Sequence, residues 1–446
     1  MNQEPNQKSQ PDSASNRYDM KIDDIFESKP ESVDPETCIT AKYYLESPMG
    51  LRNAGIAIAT EESIGTWTEI STTNDWVRSK LPAKLYKMEG GADSGFVYIA
   101  YPLDLFDLET SGIANILSMV AGNLFGLSAI KNVRLMDVGF PKAVVDMYSG
   151  PRIGIDGVRS LIGTTKDRRP HLGTIVKPKV GLDPDQTANV CYEAAIGGVD
   201  FIKDDETLVN QRFCPLESRV SKVMAALDRA ESETGREVAF AVNVTASPAN
   251  MVRMAETAID NGCNCLMLDI VILGFPTVEW FLKENDFKVP IHMHRAMHAA
   301  FTRNPRHGIA MLPLAKIARM LGGDQLHTGS GAGKMGGDEA KMMELQEIID
   351  FLRGSWFGKK PTFPVASGGI HPGFVPANFS VFGKDFVINA GGGIHGHPLG
   401  TRAGATAMRQ AIDACMNGIA LSEYSKDHSE LAIAIQHWGE RRLSED

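Results

Sequence analysis

Long apolar runs are missing from this chain: nowhere does it hold the roughly 18 uninterrupted apolar residues that a membrane helix needs, so no membrane partner is expected. A basic excess is missing too. Lys and Arg number 45 against 55 Asp and Glu, a net charge of -10, which excludes a general nucleic-acid binder yet leaves room for a local cationic pocket. Cysteine is sparse. The six residues Cys38, Cys191, Cys214, Cys263, Cys265 and Cys415 show no CxxC pairing, so neither a zinc site nor a disulfide framework is indicated and a reducing, cytoplasmic interior fits.

At 446 residues the chain suits a large domain with a smaller companion. Residues 1–35 are rich in Asn, Gln, Ser, Pro and Asp with nothing apolar to bury, and are expected to form a disordered tail. That segment has no apolar core of a secretory signal, and Asp19, Asp23, Asp24 and Glu27 argue against an organelle transit peptide. Residues 36–148 mix short β-like runs, Ile56–Ala59 and Phe96–Ala100, with a helical stretch over Ile113–Phe125, which predicts an α+β N-terminal domain.

From 149 to 446 the pattern changes to short apolar runs separated by helix-compatible stretches: Gly173–Lys177, Val199–Lys203, Val238–Val244, Cys265–Ile270, Val289–His294, Gln325–Thr328, Thr362–Ala366 and Phe386–Ala390. Eight β-then-α units predict a (β/α)8 TIM barrel rather than an open doubly wound sheet. Polar residues follow these runs at one end only, where such barrels carry their active sites and hold phosphate on the last two loops.

Lys203, Asp204, Asp205 and Glu206 end the second run. Alternation sends Lys203 and Asp205 the same way, and Glu206 can turn inward from the loop. A structural ion pair is the plain reading, but two carboxylates also suit a hard, oxygen-seeking Mg2+. Burial favours a neutral lysine amine, which can take up CO2 as a carbamate and supply a third anionic oxygen. Lys177 and Lys179 flank Pro178; as like charges in one barrel mouth they point to an anionic substrate. His292 reads as a structural core residue, whereas Arg295 beside His294 at a strand end suits bidentate phosphate binding. Ser367-Gly368-Gly369 and Gly391-Gly392-Gly393 are turns whose backbone amides can approach a phosphate closely. The run from Thr328 to Gly337 fails as a nucleotide P-loop, because Met335 and two glycines follow Lys334. It reads as a lid that delivers a cation on closure.

Three of these stretches, Gly173 to Lys179, Gly197 to Glu206 and His294 to His298 with its continuation to Gly308, resemble signatures of the large subunit of ribulose-bisphosphate carboxylase/oxygenase (RuBisCO). The resemblance is most marked to the archaeal form III branch and spans about residues 40 to 440. It implies Lys203 as the carbamylated lysine, with Asp205 and Glu206 completing the protein ligands of Mg2+ and CO2 as activator. It implies Lys177 as acid/base, Lys179 as support for the reacting intermediate, His294 in proton transfer and hydration, and Lys334 as the lid cation. Arg295, His327 and Ser367 would hold one phosphate; Gly369, Gly391 and Gly392, with Gly368 beside them, would hold the other. Glu61, Thr66, Trp67 and Asn123 match positions that reach into a neighbouring subunit's barrel, implying a homodimer or an assembly of dimers with shared sites and no small subunit.

The implied reaction is enolisation and carboxylation of ribulose 1,5-bisphosphate to two 3-phosphoglycerate, with an oxygenase side reaction. Two departures concern the lid: Gly336 stands where the family usually has an acidic residue, and the lid's glycine-rich sequence differs from the commoner form. The competing expectations are a RuBisCO-like enolase or isomerase acting on another sugar phosphate, and a silent scaffold, which predicts broken metal ligands.

Overall fold

The computed structural model describes residues 24–65, 70–333 and 339–440. Their contacts form two units. The first comprises the described residues up to Pro141 together with Asn304–Ala310, and the second comprises Lys142–Arg303 and the residues from Met311 onward.

In the first unit, strand β1 (Cys38–Glu46) alternates buried and half-buried residues along its whole length, the period-2 pattern of a sheet with one covered face. It pairs antiparallel with β3 (Ser94–Pro102) and β4 (Asn132–Gly139), and β2 (Lys84–Gly90) adds antiparallel to β3. A two-residue strand, Gly308–Ile309, pairs parallel with β4 at the other edge. Helix α1 (Leu51–Glu61) covers the sheet. Gly55 makes this possible, because a Cβ there would lie 3.1 Å from Leu85 Cδ1 and 3.2 Å from Val97 Cγ1. The β-like run Ile56–Ala59 therefore belongs to a helix. Four alternating residues cannot distinguish the two periods when a helix is buried as broadly as this one, on Leu51, Ala54, Gly55, Ile56, Ile58, Ala59 and Thr60. Helix α2 (Ile113–Val120) stops short of Phe125, and a 3-10 turn, Leu124–Gly126, follows. The expected tail is already ordered before residue 35: Phe26 is buried and Ser28 N–H donates to the Leu85 carbonyl at 3.0 Å.

The second unit is the closed parallel barrel that the sequence predicts. Its strands are β5 (His171–Ile175), β6 (Phe201–Lys203), β7 (Ala239–Asn243), β8 (Cys265–Asp269), β9 (Ile291–His294), β10 (Gln325–His327), β11 (Phe363–Ser367) and β12 (Val387–Asn389), each paired with the next and β12 with β5. Phe201, Ala239, Ala241, Cys265, Met267, Phe363, Val365 and Val387 point inward and pack against Ile155, Val158 and Ile162 of the preceding helix, Gly154–Ile162. That helix plugs the end opposite the polar loops, where Asp324 accepts the N–H groups of Ile153, Gly154 and Ile291 at 2.7–2.9 Å. Strand β5 starts two residues before the predicted run and ends before Lys177. Its first residue, His171, is buried with Thr164 Oγ1 2.6 Å from its Nε2, while its Nδ1 has no hydrogen-bond partner, so a half-satisfied polar residue opens a core strand. Lys177 and Lys179 consequently sit on the loop beyond the strand. Among the described residues no helix is long and apolar enough to cross a membrane.

Candidate active site

Inward positions at the carboxyl ends of the strands carry Lys203, Asn243, Asp269, His294, His327, Ser367 and Asn389. The end of β6 is held from outside by Asp204, which turns away from its neighbours: its Oδ2 accepts from Arg219 NH2 at 3.0 Å and from Asn243 N–H at 3.1 Å, and both ions are fully buried. Asn243 also donates to the Glu206 carbonyl at 3.2 Å, fixing the loop from which Glu206 turns back.

The tetrad converges as alternation predicts. Lys203 is fully buried, and its Nζ donates to the Asp204 carbonyl at 2.7 Å and lies 3.7 Å from Glu206 Oε2. Burial pushes its pKa below the ordinary lysine range even though Glu206, Asp205, Asp269 and Asp204 all pull the other way. Asp205 accepts from Lys177 Nζ at 2.6 Å and from Thr207 Oγ1 at 2.9 Å. Lys179 Nζ reaches Glu206 Oε1 at 3.3 Å. Burial alone would raise the Glu206 pKa, but Lys203, a backbone N–H, His294 and Lys179 outweigh it and hold the carboxyl at about 2. The two loop lysines are thus already neutralised by carboxylates of the chain, so their proximity does not by itself require an anionic ligand.

His294 Nδ1 lies 2.6 Å from the buried Asp269 Oδ1. This contact puts the proton on Nδ1 and leaves Nε2, 3.9 Å from Glu206 Oε2, facing the tetrad. Asp269 and Asn243 did not emerge from the sequence reading; each is a polar residue at an inward position of an otherwise apolar run, which is the signal that could have found them. Asp269→Asn should lower kcat by about 10²-fold or more, because an amide can donate to Nδ1 and stabilise the opposite tautomer. A near-normal kcat in a folded Asp269→Asn variant would show that the tautomer does not matter.

Deeper in the mouth a second chain of polar contacts runs from Gln325 Oε1 to His292 Nδ1 (2.7 Å), His292 Nε2 to His327 Nε2 (2.9 Å) and His327 Nδ1 to Ser367 Oγ (2.8 Å). Burial, reinforced by nearby cationic groups, pushes both histidine pKa values well down, so each ring carries one proton. His292 is structural in the sense expected, yet it also sets the tautomer of His327. With Gln325 Oε1 accepting, every proton in the chain points toward Gln325, and Ser367 donates to His327. If the amide turns over, the whole series reverses, and the Ser367 hydroxyl is released to donate to a ligand.

Arg295 is half-buried, and desolvation of its guanidinium lowers its pKa to about 10, partly offset by Glu344. It lines a cavity of about 480 Å3 with His298, Thr328, Ser330, Lys341 and Glu344 among others. Gly329 (φ +112°) lets the guanidinium come close, since a Cβ there would sit 3.1 Å from Arg295 NH2. Gly391 is approached by Lys177, whose Cε would lie 3.1 Å from an added Cβ, so the Gly391–Gly393 turn and the tetrad share one mouth. Gly368 and Gly369 continue directly from Ser367 at the end of β11. Glu61 and Asn123 lie in the first unit. Thr66, Trp67 and, from the expected lid, Lys334 and Gly336 lie outside the described residues.

Carboxylates, neutralising lysines and proton-carrying histidines at one end of a closed parallel barrel define a class: a barrel enzyme equipped to hold and move protons. Comparison with known proteins places it further. Two family models match, "Ribulose bisphosphate carboxylase large chain, catalytic domain" over residues 154–438 and "Ribulose bisphosphate carboxylase large chain, N-terminal domain" over residues 30–144. The chain belongs to the ribulose bisphosphate carboxylase large-chain family. It is 46% identical over 397 residues to the ribulose bisphosphate carboxylase of Methanocaldococcus jannaschii, covering 85% of this chain and 92% of that one. Among solved structures it resembles the octameric Rubisco of Pyrococcus horikoshii OT3 (TM-score 0.86, 41% identity, 94% of this chain and 97% of that one). It also resembles the dimeric archaeal Rubisco of Hyperthermus butylicus (TM-score 0.81, 40% identity, 92% of this chain and 98% of that one). The form III resemblance in the sequence agrees with these archaeal relatives.

Proposed function

We propose that the chain is a Mg2+-dependent ribulose-bisphosphate carboxylase that converts ribulose 1,5-bisphosphate, CO2 and water into two 3-phosphoglycerate, with O2 as the competing gas. The observation that carries this reading is the buried Lys203 beside Asp205 and Glu206. Among the described residues no three His, Cys, Asp or Glu side chains form a metal set, and two carboxylates leave a hard cation short of anionic oxygen. Lys203 stands 3.7 Å from Glu206 Oε2, and its burial favours the neutral amine that attacks CO2 and loses a proton to become a carbamate. The donor set therefore fits Mg2+ once Lys203 is carbamylated, with Asp205 and Glu206 as the other ligands.

Bound there, Mg2+ would supply Lewis-acid polarisation of the substrate oxygens at the reacting carbons. The carbamylated Lys203 accepts the C3 proton of the substrate, and the resulting enediolate forms its new carbon–carbon bond from C2 to the carbon of CO2. Lys334 stabilises the new carboxylate. His294, held by Asp269, carries a proton during hydration of C3, and Lys177 returns one to C2 after the C2–C3 bond breaks. Lys179 steadies the negative charge beside Glu206. Arg295, His327 and Ser367 bind one phosphate, and the amides of Gly368, Gly369, Gly391 and Gly392 bind the other. Fixed donors around developing oxyanions supply the acceleration.

In this reading Glu61, Thr66, Trp67 and Asn123 of one chain complete the site of its neighbour, in a cytoplasmic dimer or assembly of dimers without a small subunit. Mixed dimers test the sharing. Inactive Glu61→Gln and Lys203→Ala chains, co-refolded, should regain activity through a hybrid dimer with one intact site. Proven mixing without recovery would contradict it.

A further inference from the structure

The turn that carries Asn123 is pinned from two sides within the first unit. On one side Tyr43 donates its hydroxyl to the carbonyl of Val120, the last residue of α2, at 2.8 Å, and the Tyr101 hydroxyl lies 2.8 Å from that of Tyr43. On the other side Glu62, the residue that ends α1, accepts the Gly122 N–H on Oε2 at 3.1 Å. Glu62 is 4% exposed, and its Oε1 is buried without a hydrogen-bond partner. The fit is close: a Cβ on Gly122 would lie 2.9 Å from Glu62 Oε2 and 2.3 Å from the Ser118 carbonyl. Asn123 itself is exposed and caps no helix, so its backbone is fixed while its side chain is left presented.

A buried carboxylate that faces the amides of residues 122–124 while one of its oxygens lacks a hydrogen bond is an expensive way to hold a turn, because a neutral side chain could accept the Gly122 N–H alone without desolvating a charge. We propose that Glu62 is a positioning residue, whose carboxylate sets the 122–124 turn so that Asn123 is presented in one orientation to the active site of the neighbouring chain. This rests on the reading that Asn123 serves that site. The groups facing the carboxylate are Tyr43 from β1, Tyr101 from β3, the amides of residues 122–124, and Glu61 from its own helix. Burial raises the Glu62 pKa to about 7; the amides of Gly122, Leu124 and Asn123 oppose the rise and Glu61 adds to it. The sign follows: a carboxyl raised above its unfolded value opposes folding increasingly as pH climbs toward 7, and fully above it. A neutral substitute should therefore relieve the fold at pH 8 and not at pH 4.

The test is a double-mutant cycle on the full-length enzyme with Glu62→Gln, Asn123→Ala and the double variant, reading kcat/KM and Tm at pH 8. Glu62→Gln should leave Tm unchanged or higher while kcat/KM falls on the order of 10- to 100-fold, because the amide keeps one acceptor but sets a donor NH2 against the amides of residues 122–124 and displaces the turn. The double variant should be no slower than Asn123→Ala alone. A lowered Tm for Glu62→Gln would make the residue an ordinary structural element and overturn the proposal, as would wild-type activity. Equal losses with and without Asn123 would overturn the link between the two residues while leaving Asn123 in its role. A wild-type kcat/KM for Asn123→Ala would instead remove Asn123 from the site, and the proposal with it.

Discussion

Lys203→Ala should abolish carboxylation, lowering kcat/KM by more than about 10⁴-fold, because in the proposed mechanism it removes both the base, worth roughly 10²–10⁴ on its own, and the third anionic oxygen offered to Mg2+. The loss should not reflect unfolding. Lys203 is fully buried and its burial opposes its charge, so alanine relieves a desolvated ammonium, while Lys177 and Lys179 stay in place against Asp205 and Glu206. Lys203→Arg separates the two possible roles: guanidinium keeps a positive charge but forms no carbamate. It should be as inactive as alanine. Substantial turnover by a folded Lys203→Arg variant would mean that Lys203 acts as a cation and that the carbamate assignment is wrong.

Lys334→Ala should uncouple the two halves of the reaction. In the proposed mechanism enolisation needs the base and metal at Lys203, Asp205 and Glu206, whereas CO2 capture also needs a cation against the new carboxylate. Exchange of the substrate C3 proton with solvent should therefore survive measurably while labelled CO2 no longer enters 3-phosphoglycerate. Loss of both processes together would place Lys334 in the enolisation step. A wild-type enzyme that exchanges the proton but never incorporates CO2 would favour an enolase or isomerase.

The barrel was legible because its strands are nearly continuous apolar runs with polar residues at one end only, and the tetrad because Lys203, Asp205 and Glu206 sit together in the sequence. Two kinds of feature were not. The α1 segment misread as β-like failed because Ile56-Ala57-Ile58-Ala59 alternates by accident inside a helix buried on several sides. Residues that act through a partner distant in sequence gave no local signal either. Asp269 matters because β8 and β9 are neighbours in the barrel and bring it to His294. Gln325 and His292 matter through His327, and Glu62 through Gly122. Asn389, inward at the end of β12, differs from these in that both of its amide atoms are buried without a hydrogen-bond partner. Only the folded chain reveals such pairs, across neighbouring barrel strands for Asp269, His292 and Gln325 and between helix end and turn for Glu62. The His171 start of β5 shows the converse, a polar residue in a core strand with a hydroxyl contact from Thr164 on one ring nitrogen and none on the other.

The most direct measurement is incorporation of labelled CO2 into 3-phosphoglycerate with ribulose 1,5-bisphosphate as substrate, comparing enzyme preincubated with CO2 and Mg2+ against enzyme freed of both and started by adding them together with the substrate. The account predicts two labelled-product time courses: linear from the start after preincubation, and a lag without it that disappears as Lys203 is carbamylated. No label in 3-phosphoglycerate under either condition would contradict the carboxylase reading, and full initial rate without preincubation would contradict the role given to Lys203.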